Sequence, residues 1–537
     1  MNLPLPLLAV TVCLFVGAGC ATPDPERPNI LFIMSDDHAF QAISAYDSSL
    51  IRTPNIDRLA REGMLFERGF VTNSICGPSR AALLTGKFSH VNGFHGNSDR
   101  FDPDQETFPK LLRADGYQTA LIGKWHLGSD PQGFDFWRIL PGQGWYYNPD
   151  FIEMDGQKKQ YRGYVTDLIT DFALDWLREE REDDRPFCLF YQHKAPHREW
   201  MPSSEDFDRF DDRQFSLPPT FYDNYAGRRG AGAAEMEVRE HMNLTGDTKL
   251  SPEAATGYPG NDPYGVRQYT KEMSRMTDEQ RAAWLTEYGP VEEDFLGRFQ
   301  PTTETSDSLA EWKFQRYLTD YLRCIAAMDR NVGRVLDYLD REGLAENTIV
   351  VYTSDQGFFL GEHGWFDKRW MYEQSFRTPM LVRFPREVAA GSRSEALVQN
   401  IDFAPTLLDY ARIPIPDAMQ GESLRPVLKG ERPAVRDALY YHYYGFPAIH
   451  RVKRHYGIRT DRYKLIHLYN DIDAWELYDL ERDPHEINNL IDDPTYAEVE
   501  TGLREQLSEL REQYRVPEED GFVSREGSGN VKAGRQH

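Results

Sequence analysis

Cysteine is scarce in this chain, five among 537 residues, and Cys13, Cys20, Cys76, Cys188 and Cys324 are too widely spaced for a dense disulfide framework or a compact zinc site. Positive charge is also short: 61 Lys and Arg stand against 86 Asp and Glu, for a net charge of -25. That excludes sequence-independent binding to nucleic acid, which needs a basic face. Any anionic ligand must find a local basic pocket within an acidic surface. The apolar stretch at the start, residues 1–16, is too short to span a membrane.

That stretch runs into Gly17-Ala18-Gly19-Cys20-Ala21 and reads as a secretory leader, residues 1–20. Cys20 after small residues is similar to a bacterial lipoprotein cleavage site, although Gly17 stands where such sites carry leucine. The expectation is export from a bacterial cell, to the periplasm, the cell surface or the medium. A lipid anchor at Cys20 would be the sole membrane contact. Cys188 and Cys324 lie in apolar surroundings and read as core. Asn243-Leu244-Thr245 fits a glycosylation sequon, which a bacterial leader makes meaningless.

Four β-rich runs separated by helical patterns read as buried parallel strands: Asn29–Met34, Thr119–Ile122, Phe187–Tyr191 and Thr348–Tyr352. A long helix is expected from Glu311 to Leu339, with shorter ones from Thr53, from Thr107 and over Val165–Arg178. The pattern implies an α/β fold, a mostly parallel central sheet sandwiched by helices. This catalytic domain is expected over 28–412, interrupted at 203–300 by a polar, irregular insertion. A smaller C-terminal α+β domain follows over 413–516, and 517–537 reads as a disordered tail.

The strand ends carry the chemistry. Asp36 and Asp37 follow the first strand, Lys124 and His126 the second, His193 and His197 the third, Asp355 and Gln356 the fourth. In open α/β sheets ligands bind beyond the carboxyl ends of the strands, so the architecture brings these residues together. Each alone has a plainer reading, as a helix cap or an ordinary surface polar group. As a group, three carboxylates and an amide are hard oxygen donors that suit Ca²⁺ better than Zn²⁺.

Cys76-Gly77-Pro78-Ser79-Arg80, continuing to Leu84-Thr85-Gly86, places a cysteine immediately before a helix start, with polar neighbours. The expectation is an open setting in which the helix terminus stabilises a thiolate or a bound anion. The run resembles the C-x-P-S-R…L-T-G signature of the type I sulfatases, of the alkaline phosphatase-like superfamily. Gly123-Lys124-Trp125-His126, Ala195-Pro196-His197 and Gly361 to Lys368 match further motifs of that family in order. The resemblance spans roughly 28–490 and closes on Trp475-Glu476-Leu477-Tyr478.

The resemblance implies that Cys76 is oxidised to formylglycine by a formylglycine-generating or anaerobic sulfatase-maturing enzyme. It implies Ca²⁺ held by Asp36, Asp37, Asp355, Gln356 and the residue at 76, with Gln356 standing where the family has asparagine. Arg80, Lys124, His126, His197 and Lys368 become catalytic, with His197 the candidate acid toward the leaving oxygen. The overall look is most similar to bacterial N-acetylglucosamine-6-O-sulfatases, so a sulfated glycan, of glycosaminoglycan or mucin type, is the expected substrate. Asp367 and His455, the latter from the basic cluster 450–455, are candidate sugar contacts; a salt bridge from Asp367 to Arg369 is the plainer alternative. Two other functions stay open: a phosphodiesterase or phosphonate hydrolase of the same superfamily, and a catalytically silent glycan-binding homologue.

Overall fold

The computed structural model describes residues 27–301 and 305–518. The leader with Cys20, and the tail beyond Glu518, lie outside the described residues.

Ten strands form the main sheet: β1 (Asn29–Ser35), β2 (Met64–Phe66), β3 (Gln118–Lys124), β4 (Phe136–Leu140), β5 (Asp150–Ile152), β6 (Lys158–Gln160), β7 (Phe187–Gln192), β8 (Thr348–Ser354), β9 (Met380–Arg383) and β10 (Ser392–Ser394). Across the sheet they run β10-β2-β9-β8-β1-β7-β3-β4-β5-β6. The centre, β8-β1-β7-β3-β4, is parallel, with Ile30 of β1 opposite Cys188 and Ile349. Antiparallel pairing enters toward the edges, through β9 on one side and β5 and β6 on the other.

Helices cover both faces, so the central strands carry near-continuous apolar sequence rather than alternation. Leu31 and Ile33 pack with Ile169 of the helix Val165–Asp175 and with Leu322 and Val332 of the helix Asp307–Arg341. Ile30 and Phe32 point the other way, as the period of two requires, and meet Leu112, Phe403 and Leu407. Cys188 and Cys324 are buried in these layers. The exposed edge strand β6 reads Lys-Lys-Gln, and its lysines discourage pairing with another chain. Among the described residues no helix is long and apolar enough to cross a membrane.

The segment 203–300 is not irregular throughout. It holds helices Pro263–Arg275 and Asp278–Arg298, started by an Asp262 cap and by a Thr277–Gln280 capping box. Their sparse apolar residues, and Pro290 within the second, hid the helical period. The cap residues, also ordinary loop residues, did not mark it.

A second sheet is an antiparallel meander of β11 (Ala438–Tyr443), β12 (His455–Thr460), β13 (Tyr463–Leu468) and β14 (Ala474–Asp479). The helix Ala497–Gln513 closes it, with Leu503 and Leu507 against Ile458, Leu465 and Leu477. This sheet abuts the loop before Cys76: His442 N–H donates to Thr72 O at 3.1 Å, and Ser74 N–H donates to the Tyr441 hydroxyl at 3.3 Å.

Candidate active site

The chain ends of β1, β3, β7 and β8 converge as the architecture demands. One oxygen each of Asp36, Asp37 and Asp355 lies within 4.8 Å of the others, and Asp36, Cys76 and His197 make a second group of the same span. Asp37 takes a left-handed backbone (φ 67°), as does His126 (φ 59°). Such strain in non-glycine residues persists where the surroundings over-determine it, and it clusters at functional sites.

Charge is balanced residue by residue. Lys124 pairs with Asp36 and donates to Gln143 Oε1 at 2.6 Å; Lys368 pairs with both oxygens of Asp37. Arg80 donates to Asp355 Oδ2 at 3.0 Å, and its Nη1 reaches the Lys124 carbonyl and Gln192 Oε1, each at 2.9 Å. One guanidinium thereby ties the ends of β3, β7 and β8. Burial pushes the Asp37 carboxyl up to about 7 although Lys368 pulls it down, with Asp355 and Asp367 adding to the rise.

Two buried acceptors in this cluster carry no hydrogen bond, Asp36 Oδ1 and Gln356 Oε1. The Gln356 amide nitrogen donates to Asp37, which leaves its oxygen as the orphan. Buried oxygens without donors are rare, and here they belong to a set of three carboxylates and an amide. That set fits a hard divalent cation, and the glutamine in place of asparagine preserves the donor atom.

Cys76 departs from expectation. It is the first residue of the helix Cys76–Thr85, not the residue before it, and all ten residues of that helix are buried. Burial pushes its thiol up to about 12, against Lys368 and Arg80. Desolvation, with Asp355 and Asp37 adding to it, outweighs those two cations.

His197 and His126 are held well below the ordinary imidazole range, first by burial and then by Lys124 and other nearby cations. His197 Nδ1–H donates to the Arg198 carbonyl, which turns Nε2 toward Asp37 Oδ2 at 3.8 Å. His126 Nδ1 is buried without a partner, and so are both ring nitrogens of His193.

Asp367 forms the ion pair with Arg369 and also meets His450 Nε2 at 2.9 Å. Burial disfavours its charge, yet Arg369, Lys368 and His450 hold the carboxyl well below its usual range. Asp367, Arg369 and His450 all adopt positive φ (77°, 91° and 66°).

His455 does not join them. It is fully buried, stacked on Trp370 and Tyr441, with Nδ1–H donating to Lys453 O at 2.8 Å and Nε2 accepting Met371 N–H at 3.1 Å. Both nitrogens are committed to backbone, so the sugar-contact expectation for His455 is corrected; His450, in the same cluster, is the histidine beside Asp367. Sequence reasoning also missed Gln143, Gln192 and Lys194, which no local pattern marked.

Burial pushes the His455 imidazole from 6.5 down to about 4. Between those values the unfolded chain binds more protons, so this group's stabilisation is complete above pH 6.5 and is lost as pH falls toward 4. His455→Phe is expected to keep the stack and cost about 1–3 kcal/mol through two lost hydrogen bonds. It should also flatten the fall of Tm with acidity; an unchanged slope in thermal melts across this range rejects the assignment.

Comparison with known proteins identifies the family. The Sulfatase family profile matches residues 28–413, and the profile described as N-sulphoglucosamine sulphohydrolase, C-terminal, matches residues 361–513. The N-acetylglucosamine-6-O-sulfatase of Bacteroides thetaiotaomicron is 48% identical over 531 residues, 97% of this chain and 92% of that protein. The solved structure of BT4656 in complex with its substrate D-glucosamine-2-N,6-O-disulfate matches with a TM-score of 0.87 at 47% identity, over 93% of this chain and 100% of that one. A phosphonate monoester hydrolase from Silicibacter pomeroyi shares the fold, with a TM-score of 0.64 at 20% identity over 91% of this chain and 96% of that one. With a family profile over most of its length and a relative at nearly half identity end to end, the chain belongs to the sulfatase family of sulfuric ester hydrolases, on an alkaline phosphatase-like fold.

Proposed function

We propose that this enzyme removes the 6-O-sulfate from glucosamine-type sugars, N-acetylated or N-sulfated, of sulfated glycans, after export from a bacterial cell. The observation that carries the reading is the meeting of Cys76, Lys124, His197 and Lys368 around three carboxylates. The sugar comes from the 48%-identical N-acetylglucosamine-6-O-sulfatase and from the 47%-identical structure solved with D-glucosamine-2-N,6-O-disulfate. Export rests on the leader 1–20, with lipidation of Cys20 as one route to the cell surface.

Asp36, Asp37, Asp355 and Gln356 would hold Ca²⁺, and Cys76 would be converted to formylglycine by a dedicated maturing enzyme. Together these groups would supply an oxygen nucleophile for sulfur and positive charge against the sulfate oxygens. The chain's own residues do the rest. Lys124 and Lys368 present two further cations to the anion in a buried, low-dielectric site, where preorganised charge is most effective. Arg80 locks the ends of β3, β7 and β8, the first of which carries Lys124.

As the imidazolium, which the negative charge of bound sulfate would favour against burial and the nearby cations, His197 hands a proton from Nε2 to the departing sugar oxygen; Nδ1–H on the Arg198 carbonyl fixes the ring for that transfer. His126, with an unpartnered Nδ1, is placed to take a proton as sulfate leaves. Asp367 and Arg369, charged and held in strained backbone, are the groups that would read the sugar hydroxyls, while His450, bound through Nδ1 to the Glu235 carbonyl and through Nε2 to Asp367, holds the carboxylate in place.

Sulfate release from 6-O-sulfated N-acetylglucosamine and glucosamine-2-N,6-O-disulfate, measured beside 4-nitrophenyl sulfate and 4-nitrophenyl phosphate, tests this. The sugar 6-sulfates are expected to be the better substrates by at least about a hundredfold in kcat/KM, roughly 3 kcal/mol of transition-state discrimination. Faster phosphate or phosphonate hydrolysis would return the phosphonate-hydrolase reading. Binding of the sugar sulfates without turnover by matured protein would return the silent glycan-binding one.

A further inference from the structure

We infer that Asp247 and Glu272, both carried by the segment 203–300, are positioning residues for His197, and that this segment aims the proton delivered to the leaving group. The inference rests on His197 being the general acid.

Asp247 is fully buried and binds Arg198 through two parallel hydrogen bonds, from Nε and Nη2, each at 2.6 Å. Its Oδ2 also accepts Asn243 N–H at 2.7 Å, which anchors the carboxylate in the segment itself. A bidentate arginine–carboxylate pair fixes direction as well as distance. Arg198 follows His197 in the chain, and its carbonyl is the acceptor that sets the His197 ring. Lys194 Nζ reaches the same carbonyl at 3.4 Å.

The second tie comes from the other side. Tyr146 donates its hydroxyl to the His197 carbonyl at 2.5 Å, and its own N–H donates to buried Glu272 Oε1 at 2.9 Å. Tyr147 N–H meets the other oxygen of Glu272 at 3.5 Å. Two carboxylates from one segment thus hold the groups on either side of the ring, Asp247 the Arg198 side chain and Glu272 the tyrosine that binds the His197 carbonyl. Among the described residues no side chain of 203–300 hydrogen-bonds to Asp36, Asp37, Asp355 or Gln356. Substitutions there leave the cation-holding group its own partners.

A misaimed acid penalises a leaving group that needs a proton and spares one that does not. Asp247→Asn and Glu272→Gln are therefore expected to lower kcat on 6-O-sulfated N-acetylglucosamine about 10–100-fold, with KM changed less than about threefold. Turnover of 4-nitrophenyl sulfate, whose phenolate leaves unprotonated, should fall less than about threefold. The double variant Asp247→Asn/Arg198→Gln removes both buried charges together and keeps an amide link. It decides the matter where the single variant melts early.

His197→Ala is measured alongside. Failure of His197→Ala to distinguish the two esters removes the acid assignment on which the inference stands. A His197→Ala that distinguishes them, while the Asp247 and Glu272 variants lower both esters equally or act only through KM, overturns the positioning role alone. Where the native enzyme ignores the aryl ester, the split between kcat and KM on the sugar sulfate decides.

Discussion

Cys76→Ala is expected to lose sulfate release by at least about a thousandfold while the protein still folds, because alanine lacks the thiol whose oxidation would turn the β-carbon into the aldehyde. The position is fully buried at the start of a fully buried helix, and its thiol is pushed up to about 12. A plain thiol there is neutral at working pH and a poor nucleophile. The proposed conversion to formylglycine would give this position its reactivity. Removing one sulfur from a packed site costs on the order of 1 kcal/mol, too little to unfold a domain of this size.

The measurements are sulfate release, a thermal melt and intact-mass analysis of the matured enzyme, in which residue 76 should have lost its thiol mass. Cys76→Ser offers an oxygen without a geminal partner and should trap sulfated protein. Near-native turnover by Cys76→Ala would end the proposal that this residue supplies the nucleophile.

Exhaustive chelation is expected to remove turnover, with recovery on adding Ca²⁺, and Asp36→Asn should weaken Ca²⁺ binding by about a hundredfold or more. Asp36 contributes one oxygen to the pair with Lys124 and one with no donor at all. The variant deletes a charge from the set while leaving Asp37 and Asp355 crowded together. Binding is also stabilisation: Ca²⁺ at a thousand times its Kd adds about 4 kcal/mol to the folded state, read as a rise in Tm that Asp36→Asn should largely lose. Gln356→Asn, which keeps an amide oxygen, should be milder than Gln356→Ala. Full turnover by metal-free enzyme, verified by elemental analysis, contradicts the metal proposal.

Much of this site is legible in the sequence because a parallel sheet makes distant residues neighbours by rule. Once Asn29–Met34, Thr119–Ile122, Phe187–Tyr191 and Thr348–Tyr352 read as buried strands, Asp36, Lys124, His197 and Asp355 had to meet at their carboxyl ends. The strand-to-helix alternation and the motif around Cys76 needed no long-range information. The helices of 203–300 were not read from the sequence: their apolar faces are too thin to carry a periodicity, and their cap residues Asp262 and Thr277 are also ordinary loop residues.

What the tertiary structure alone decided is burial and partnership. The residues around Cys76 are polar in sequence, yet the whole helix Cys76–Thr85 is buried, and desolvation raised the thiol against the expected ease of ionisation. His450 and His455 are five positions apart in one basic cluster; backbone donors and acceptors from Met371 and Lys453 consumed one ring, while the other was left to Asp367. Arg198 had no local sign of its partner 49 positions away. Local sequence sets which elements form and which atoms stand at their ends. Desolvation and hydrogen-bond partnership depend on groups far along the chain, and only the folded packing fixes them.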